Sequence, residues 1–353
     1  MTQAASTSSV IHREQSVRSA YPPHVTFNNL IRSNKRKSTL LIIGMSLLLI
    51  VVGAMIGAAI AGYGGASFEA IIPSLILGAV VAAVIAVSAS LWSFYGGSET
   101  ILRISGAKQI QKSDDPQLFN VVEELSIAAG IPMPRVFVID DSAMNAFATG
   151  RDPQHAAVTV TTGLRQKLDR DELAGVMAHE LSHIRHFDIR FAMLMATMVG
   201  LIVLACDAFW RIMRYQMWFG GRRGGRSSRG GDSGGGGGAA IVYAIILVAA
   251  IILALLAPML AMMIRFAMSR QREYLADAGA VELTRYPQGL IGALEKLGAC
   301  QEPLEAANRA TAHLFIVNPL KSAHRGQGHE LASAFRTHPP LHERIARLRA
   351  LLQ

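Results

Sequence analysis

The chain has 353 residues, of which 51% are hydrophobic and only 17% charged, whereas soluble domains carry about 25% charged residues; an ordinary soluble enzyme is excluded, and so is disorder over most of the chain. Its 34 Lys and Arg against 25 Asp and Glu give a net charge of +9, which in so apolar a chain points to anionic lipid as a partner and away from nucleic acid. The two cysteines, Cys206 and Cys300, exclude a disulfide framework and a cysteine-rich metal site.

Residues 1–39 form a polar, basic tail. Two long uncharged apolar runs follow, Leu40–Ala61 and Ile71–Tyr95. Each reaches the ~20 residues that a helix needs to cross ~30 Å of hydrocarbon. Arg32, Lys35, Arg36 and Lys37 precede the first run, and the turn between the runs, Gly62–Ala70, carries Glu69 and no Lys or Arg. The positive-inside rule then puts the N-terminus and everything after Tyr95 in the cytoplasm. Gly53 and Gly57 stand in G-x-x-x-G spacing, which permits close helix packing.

Residues 96–190 are polar and read as the first half of a domain. Asp115-Pro116 reads as N-cap and first turn of a helix containing Leu118, Val122 and Leu125, with Gly130 as its stop. Arg135–Ile139 reads as a strand, and Asn145–Ala148 and Ala157–Thr161 as two more. A sheet of three or four strands against helices is expected. The next helix starts at Asp169, with Glu172 in capping-box spacing and Leu168 and Leu173 placed for a hydrophobic staple. No proline interrupts it, and it is expected to run unbroken into the apolar stretch at Phe191. Gly175 inside it costs about 1 kcal/mol against Ala.

That helix carries His179-Glu180-Leu181-Ser182-His183, an H-E-x-x-H motif. Spacing i, i+4 places both imidazoles on one helical face, able to bind one metal ion. Glu180 can reach a metal-activated water as general base. Two histidines with an open position favour Zn²⁺, one per subunit. The bland alternative, two surface histidines and a helix-stabilising Glu in a non-enzymatic membrane scaffold, is separated from this by metal content. The third ligand has two candidates. His186 lies one turn after His183 but cannot easily be wrapped in from its own helix; Ile189 occupies the position where one class of zinc proteases has a third histidine. Glu273, in Arg-Glu-Tyr-Leu-Ala-Asp, is the stronger candidate, with Asp277 on the same face to orient a ligand imidazole. Asp188, at the membrane end of the motif helix, reads as a cap or a partner of Arg190.

Residues 191–267 read as a transmembrane hairpin. Its runs are Phe191–Trp210, broken by Asp207, and Ala239 to about Ile264, joined by a Gly/Arg-rich linker at 220–238. The basic linker would lie outside, against the charge rule, but the length of the fourth run favours crossing. Residues 268–353 read as the second half of the polar domain. His183 stands about 12 Å before the third run along a continuous helix, and Glu273 about 8–12 Å after the fourth. The two offsets agree on one site near the cytoplasmic face. Late in the chain, Thr337-His338-Pro339-Pro340 precedes a helix with Ile345, Leu348 and Leu352 at core spacing. His338 is equally a helix-entry residue or a group that approaches the site to stabilise the transition state.

The ordered set of two spans, Asn145-Ala146-Phe147-Ala148-Thr149-Gly150, H-E-x-x-H running into a span, a further span, Arg-Glu-Tyr-Leu-Ala-Asp and Thr-His-Pro-Pro resembles the HtpX family of membrane zinc metalloproteases, related to the CaaX prenyl proteases. The resemblance covers roughly residues 30–353. It implies a mainly α membrane protein with four transmembrane helices and a cytoplasmic α+β gluzincin-type protease domain split by the third and fourth spans. It also implies one zinc and a multi-pass place in the bacterial inner membrane. The activity implied is hydrolysis of damaged or misassembled membrane proteins rather than prenylated peptides, in quality control under stress. Asn145, Ala146 and Phe147 would lie on an edge strand that pairs with substrate backbone. The long polar N-terminus and the Gly/Arg-rich loop depart from the family pattern.

Overall fold

The structure, a computed structural model, describes residues 27–63, 68–219, 236–300, 302, 315–316 and 339–352. The basic tail up to residue 26, most of the Gly/Arg-rich linker and His338 lie outside the described residues. The chain divides into two compact units. One contains Phe94–Met193 and Arg265–Gln353, the other Thr39–Ser93 and Leu194–Ile264.

The apolar unit is helical. Helix α1 spans Phe27–Tyr63 and α2 spans Phe68–Ile104. Helix α6, Asp188–Phe219, carries the third run, and α7, Gly236–Thr284, the fourth. Each holds a stretch long and apolar enough to cross a membrane: Thr39–Ala61, Glu69–Ile104, Asp188–Tyr215 and Ala244–Met262. Ile72, Leu77, Val84 and Leu204 all point outward uncovered, a surface that fits hydrocarbon and not water. This is a membrane protein. The G-x-x-x-G pair lies at the α1–α2 crossing. A Cβ on Gly53 would meet the Gly78 carbonyl oxygen at 2.8 Å, and one on Gly57 would meet the Gly78 Cα at 3.1 Å. Backbones this close leave no room for side chains, as in helix packing inside lipid. Asp207, expensive in lipid if alone, pairs with Arg211 one turn on at 2.8 Å.

Among its described residues the polar unit is a four-stranded sheet covered by helices. Its strands are β1, Lys108–Gln109; β2, Arg135–Ile139; β3, Ala146–Gly150; and β4, Ala156–Thr161. The order is β1-β2-β4-β3, with β2 and β4 parallel and the other pairs antiparallel. Among the described residues β3 is therefore an edge, and it begins one residue later than the sequence places it. β1 has only two residues, too short for a period-2 signal.

Helix α3, Pro116–Ala129, starts where expected: the Asp115 carboxylate accepts from the Leu118 N–H, and Gly130 closes the helix with φ 66°. Helix α4, Thr162–Lys167, leads into α5, Arg170–Arg185, whose capping box is complete on Asp169 and Glu172. Leu118 and Leu125 of α3, Val176 and Leu181 of α5, and Val158 and Val160 of β4 form one core. Helix α8, Pro287–Ala299, joins it through Leu290 and Leu294.

Gly175 is where α5 and α8 touch. A Cβ there would meet the Leu290 backbone nitrogen at 2.5 Å and its Cα at 2.8 Å. The propensity cost read from sequence is outweighed by this close approach. Gly175→Ala would gain about 1 kcal/mol in an isolated helix. Here it is expected to cost on the order of 1–3 kcal/mol as overpacking. A thermal melt of the detergent-solubilised variant checks the sign, and a raised melting temperature would contradict this packing.

One expectation fails. The motif helix does not run unbroken into the third apolar run. α5 stops at Arg185 with His186 as its C-cap, Phe187 takes φ 62°, and α6 begins at Asp188. A bulky residue at positive φ cannot continue a right-handed helix. The ~12 Å offset of a continuous helix therefore does not hold on this side. On the other side α7 is continuous from the fourth run through Glu273 and Asp277.

Candidate metal centre

The i, i+4 spacing on α5 brings the two histidines of the motif together. Their Nε2 atoms are 3.2 Å apart. The Glu273 carboxylate on α7 closes the triangle, with Oε2 3.7 Å from His179 Nε2 and Oε1 3.6 Å from His183 Nε2. Among the described residues, these three form the group of His, Cys, Asp and Glu side chains whose ligand atoms converge. Tetrahedral ligands at ~2.0–2.1 Å from zinc stand roughly 3.3–3.4 Å from one another. One donor atom from each of the three residues lies within 4.8 Å of the other two, close enough to close on such an ion with modest adjustment. His186 does not join them; it is buried at the helix break, beside Gly279 of α7.

Each imidazole is held from behind. His179 Nδ1 lies 3.0 Å from Asp277 Oδ1, which leaves Nε2 to face the other ligands. Asp277 thus stands beside a candidate ligand imidazole, on the face its spacing gives it. His183 Nδ1 lies 3.3 Å from Asp188 Oδ2. Asp188 is paired with Arg272 at 3.1 Å, and the Arg190 guanidinium lies instead over the Phe94 ring.

Arg344, on helix α9, Leu341–Ala350, is the residue that sequence reading missed. It is fully buried and donates to both Asp277 oxygens at 2.6 and 2.9 Å. It also stands 3.4 Å from Glu273 Oε2. Of the core stripe expected here, Ile345, Leu348 and Leu352, only Leu348 is buried. Arg344 shares the Leu348 face at i, i+4. A lone arginine on an apolar face was the available signal.

Glu180 is buried beside the donors. Burial, with His183 opposing and Glu273 adding to it, pushes its carboxyl up to about 7. Burial pushes His179 down to about 4 against the pull of Asp277. Burial would lower His183 too, but Asp188 and Glu273 outweigh it and push it up to about 9. For Asp277, burial is outweighed by Arg344 and His179, and its carboxyl is held below the usual range.

The edge strand adjoins this cluster. The Asn145 carbonyl accepts from the Thr161 N–H of β4. By alternation along β3, Asn145 and Phe147 turn their backbone groups to β4, while Ala146 and Ala148 turn theirs outward. The Ala146 carbonyl accepts from the Ile316 N–H at 2.9 Å, and the Phe147 ring packs edge-on against Phe315. The Ala148 N–H donates to Glu180.

Three converging donors and a buried carboxylate next to them are the equipment of a metallopeptidase, here in a membrane protein. The chain belongs to peptidase family M48, whose pattern matches residues 112–352. It is 41% identical to the "Protease HtpX homolog" of Dictyoglomus thermophilum over 326 residues, 92% of this chain and 95% of that one. The "Protease HtpX homolog" of Lactiplantibacillus plantarum is 42% identical over 324 residues, 90% of this chain and 98% of that one. The crystal structure of S. mikatae Ste24p aligns with 98% of this chain and 74% of its own, at 20% identity and a TM-score of 0.44. The family match and the identity to these HtpX homologues bear out the resemblance read from the motifs.

Proposed function

We propose that the protein is a zinc-dependent endopeptidase of the bacterial inner membrane, with its catalytic unit on the cytoplasmic side. Its proposed substrates are misfolded or damaged membrane proteins, cleaved in quality control under stress. The observation that carries the metal reading is the triangle of His179, His183 and Glu273 atoms. Their hard and borderline donors, two imidazoles and one carboxylate, number three and so leave a fourth position for water, which suits catalytic zinc better than structural zinc. Zinc held there supplies a Lewis acid and lowers the pKa of water toward ~7.

The protein's own groups do the rest. Glu180, with a carboxyl near 7, is poised to take the proton of the attacking water and return it to the leaving amine at neutral pH. Asp277 holds His179 in the tautomer whose Nε2 faces the site. Arg344 neutralises Asp277 and keeps that buried carboxylate charged. An extended substrate would lie along β3, where the outward backbone groups belong to Ala146 and Ala148. Pairing there requires Ala148 to exchange its contact with Glu180 and Ile316 to yield at Ala146. His338 serves as a transition-state stabiliser.

The cytoplasmic side is supported by Arg32, Lys35, Arg36 and Lys37 before the first span against Glu69 after it. The same basic residues offer contacts to anionic lipid. The substrate class is tested by competing an unfolded membrane protein against a farnesylated peptide in proteoliposomes. Faster turnover of the unfolded protein is expected. Preference for the farnesylated peptide would sink the quality-control reading and leave the peptidase intact.

A further inference from the structure

We infer that Asp188 and Arg272 form a positioning pair for the metal ligand His183, matching what Asp277 and Arg344 do for His179. This rests on the metal reading above. Asp188 bridges two groups: one carboxylate oxygen is 3.3 Å from His183 Nδ1, and the other is 3.1 Å from the Arg272 guanidinium. The Asp188–Arg272 pair is out of water. Asp188 is 5% exposed and Arg272 6% exposed. The guanidinium carbon also sits 3.6 Å from the centre of the Phe191 ring.

The backbone is shaped for this contact. Five residues along an unbroken α-helix turn about 500°, which would leave residue 188 roughly 140° around from His183. The break at His186 and the positive φ of Phe187 redirect the chain, and Asp188 comes back to the imidazole. A phenylalanine at positive φ is strained, and the strain here delivers a buried carboxylate to a metal ligand. Such a carboxylate fixes the imidazole tautomer and orientation. A buried anion is stable only if paired, and Arg272 supplies the cation from the position before Glu273. One turn of α7 thus provides a ligand and the anchor of a second ligand's support.

The two pairs make the donor triangle stiff from both sides. His179 is tied through Asp277 to Arg344 on α9, and His183 through Asp188 to Arg272 on α7. Losing either carboxylate frees one ring to rotate.

The test is zinc affinity of the full-length protein in detergent, by competition with a chromophoric chelator, together with the visible spectrum of the Co²⁺-substituted protein. Asp188→Ala is expected to weaken zinc binding about 10–100-fold and to change the Co²⁺ spectrum. Asp188→Asn keeps the shape and is expected to fall in the same direction by less. Arg272→Met should weaken binding too, and the double variant should be no worse than Asp188→Ala alone, because both act through one contact. Arg190→Ala should change nothing. Unchanged zinc affinity and spectrum in both Asp188 variants, with wild type binding zinc normally, overturns this inference alone. So does a lowered melting temperature of the metal-free variants with affinity unchanged. Wild type that binds no zinc overturns the metal reading and this inference with it.

Discussion

Glu180→Gln is expected to abolish peptide hydrolysis while leaving zinc in place. The side chain keeps its size, and Gln can still accept from the Ala148 N–H as Glu180 does. What is lost is the ability to take a proton from water and hand it on. General base catalysis is worth about 10²–10⁴-fold, and here the same group also serves as acid, so the loss should reach at least the upper end. Cleavage of an unfolded protein by the purified variant gives the rate, and metal analysis of the same sample gives the zinc content. Full cleavage by a zinc-loaded Glu180→Gln protein would remove Glu180 from the chemistry.

The second large effect is expected at Glu273. Glu273→Gln preserves volume but replaces an anionic ligand with a neutral amide. Two imidazoles and an amide should hold zinc far less tightly, and dialysis should empty the site. Activity should fall with the metal and return in part at high zinc. His186→Ala should keep its full metal content, since His186 lies outside the donor triangle. The reverse pattern, with Glu273→Gln loaded and His186→Ala empty, would return the third ligand to the motif helix.

Much of the site is local and was readable for that reason. His179 and His183 are one turn apart, Glu273 and Asp277 are one turn apart, and helical periodicity alone puts each pair on one face. The starts of α3 and α5 were readable because Asp115 and Asp169 cap the N–H groups three residues on. What connects distant segments was less legible. Arg344 reaches Asp277 across 67 positions, and no spacing rule links them. Asp188 reaches His183 at i+5, a spacing that faces away on a helix and works only because the chain breaks at Phe187. A phenylalanine gives no sequence signal for positive φ, unlike Gly130, which was read as a stop. The same holds for Gly175, whose close approach to Leu290 depends on where α8 packs. The edge strand lies one residue later than expected, and which of its residues face outward depends on register with β4.

Metal content and activity of one preparation test the central claim most directly. The purified protein, kept in detergent or lipid, should carry one zinc per chain, lose zinc and proteolysis together on chelation, and regain both when zinc is restored. Undiminished cleavage of an unfolded protein by the zinc-free chain would contradict it.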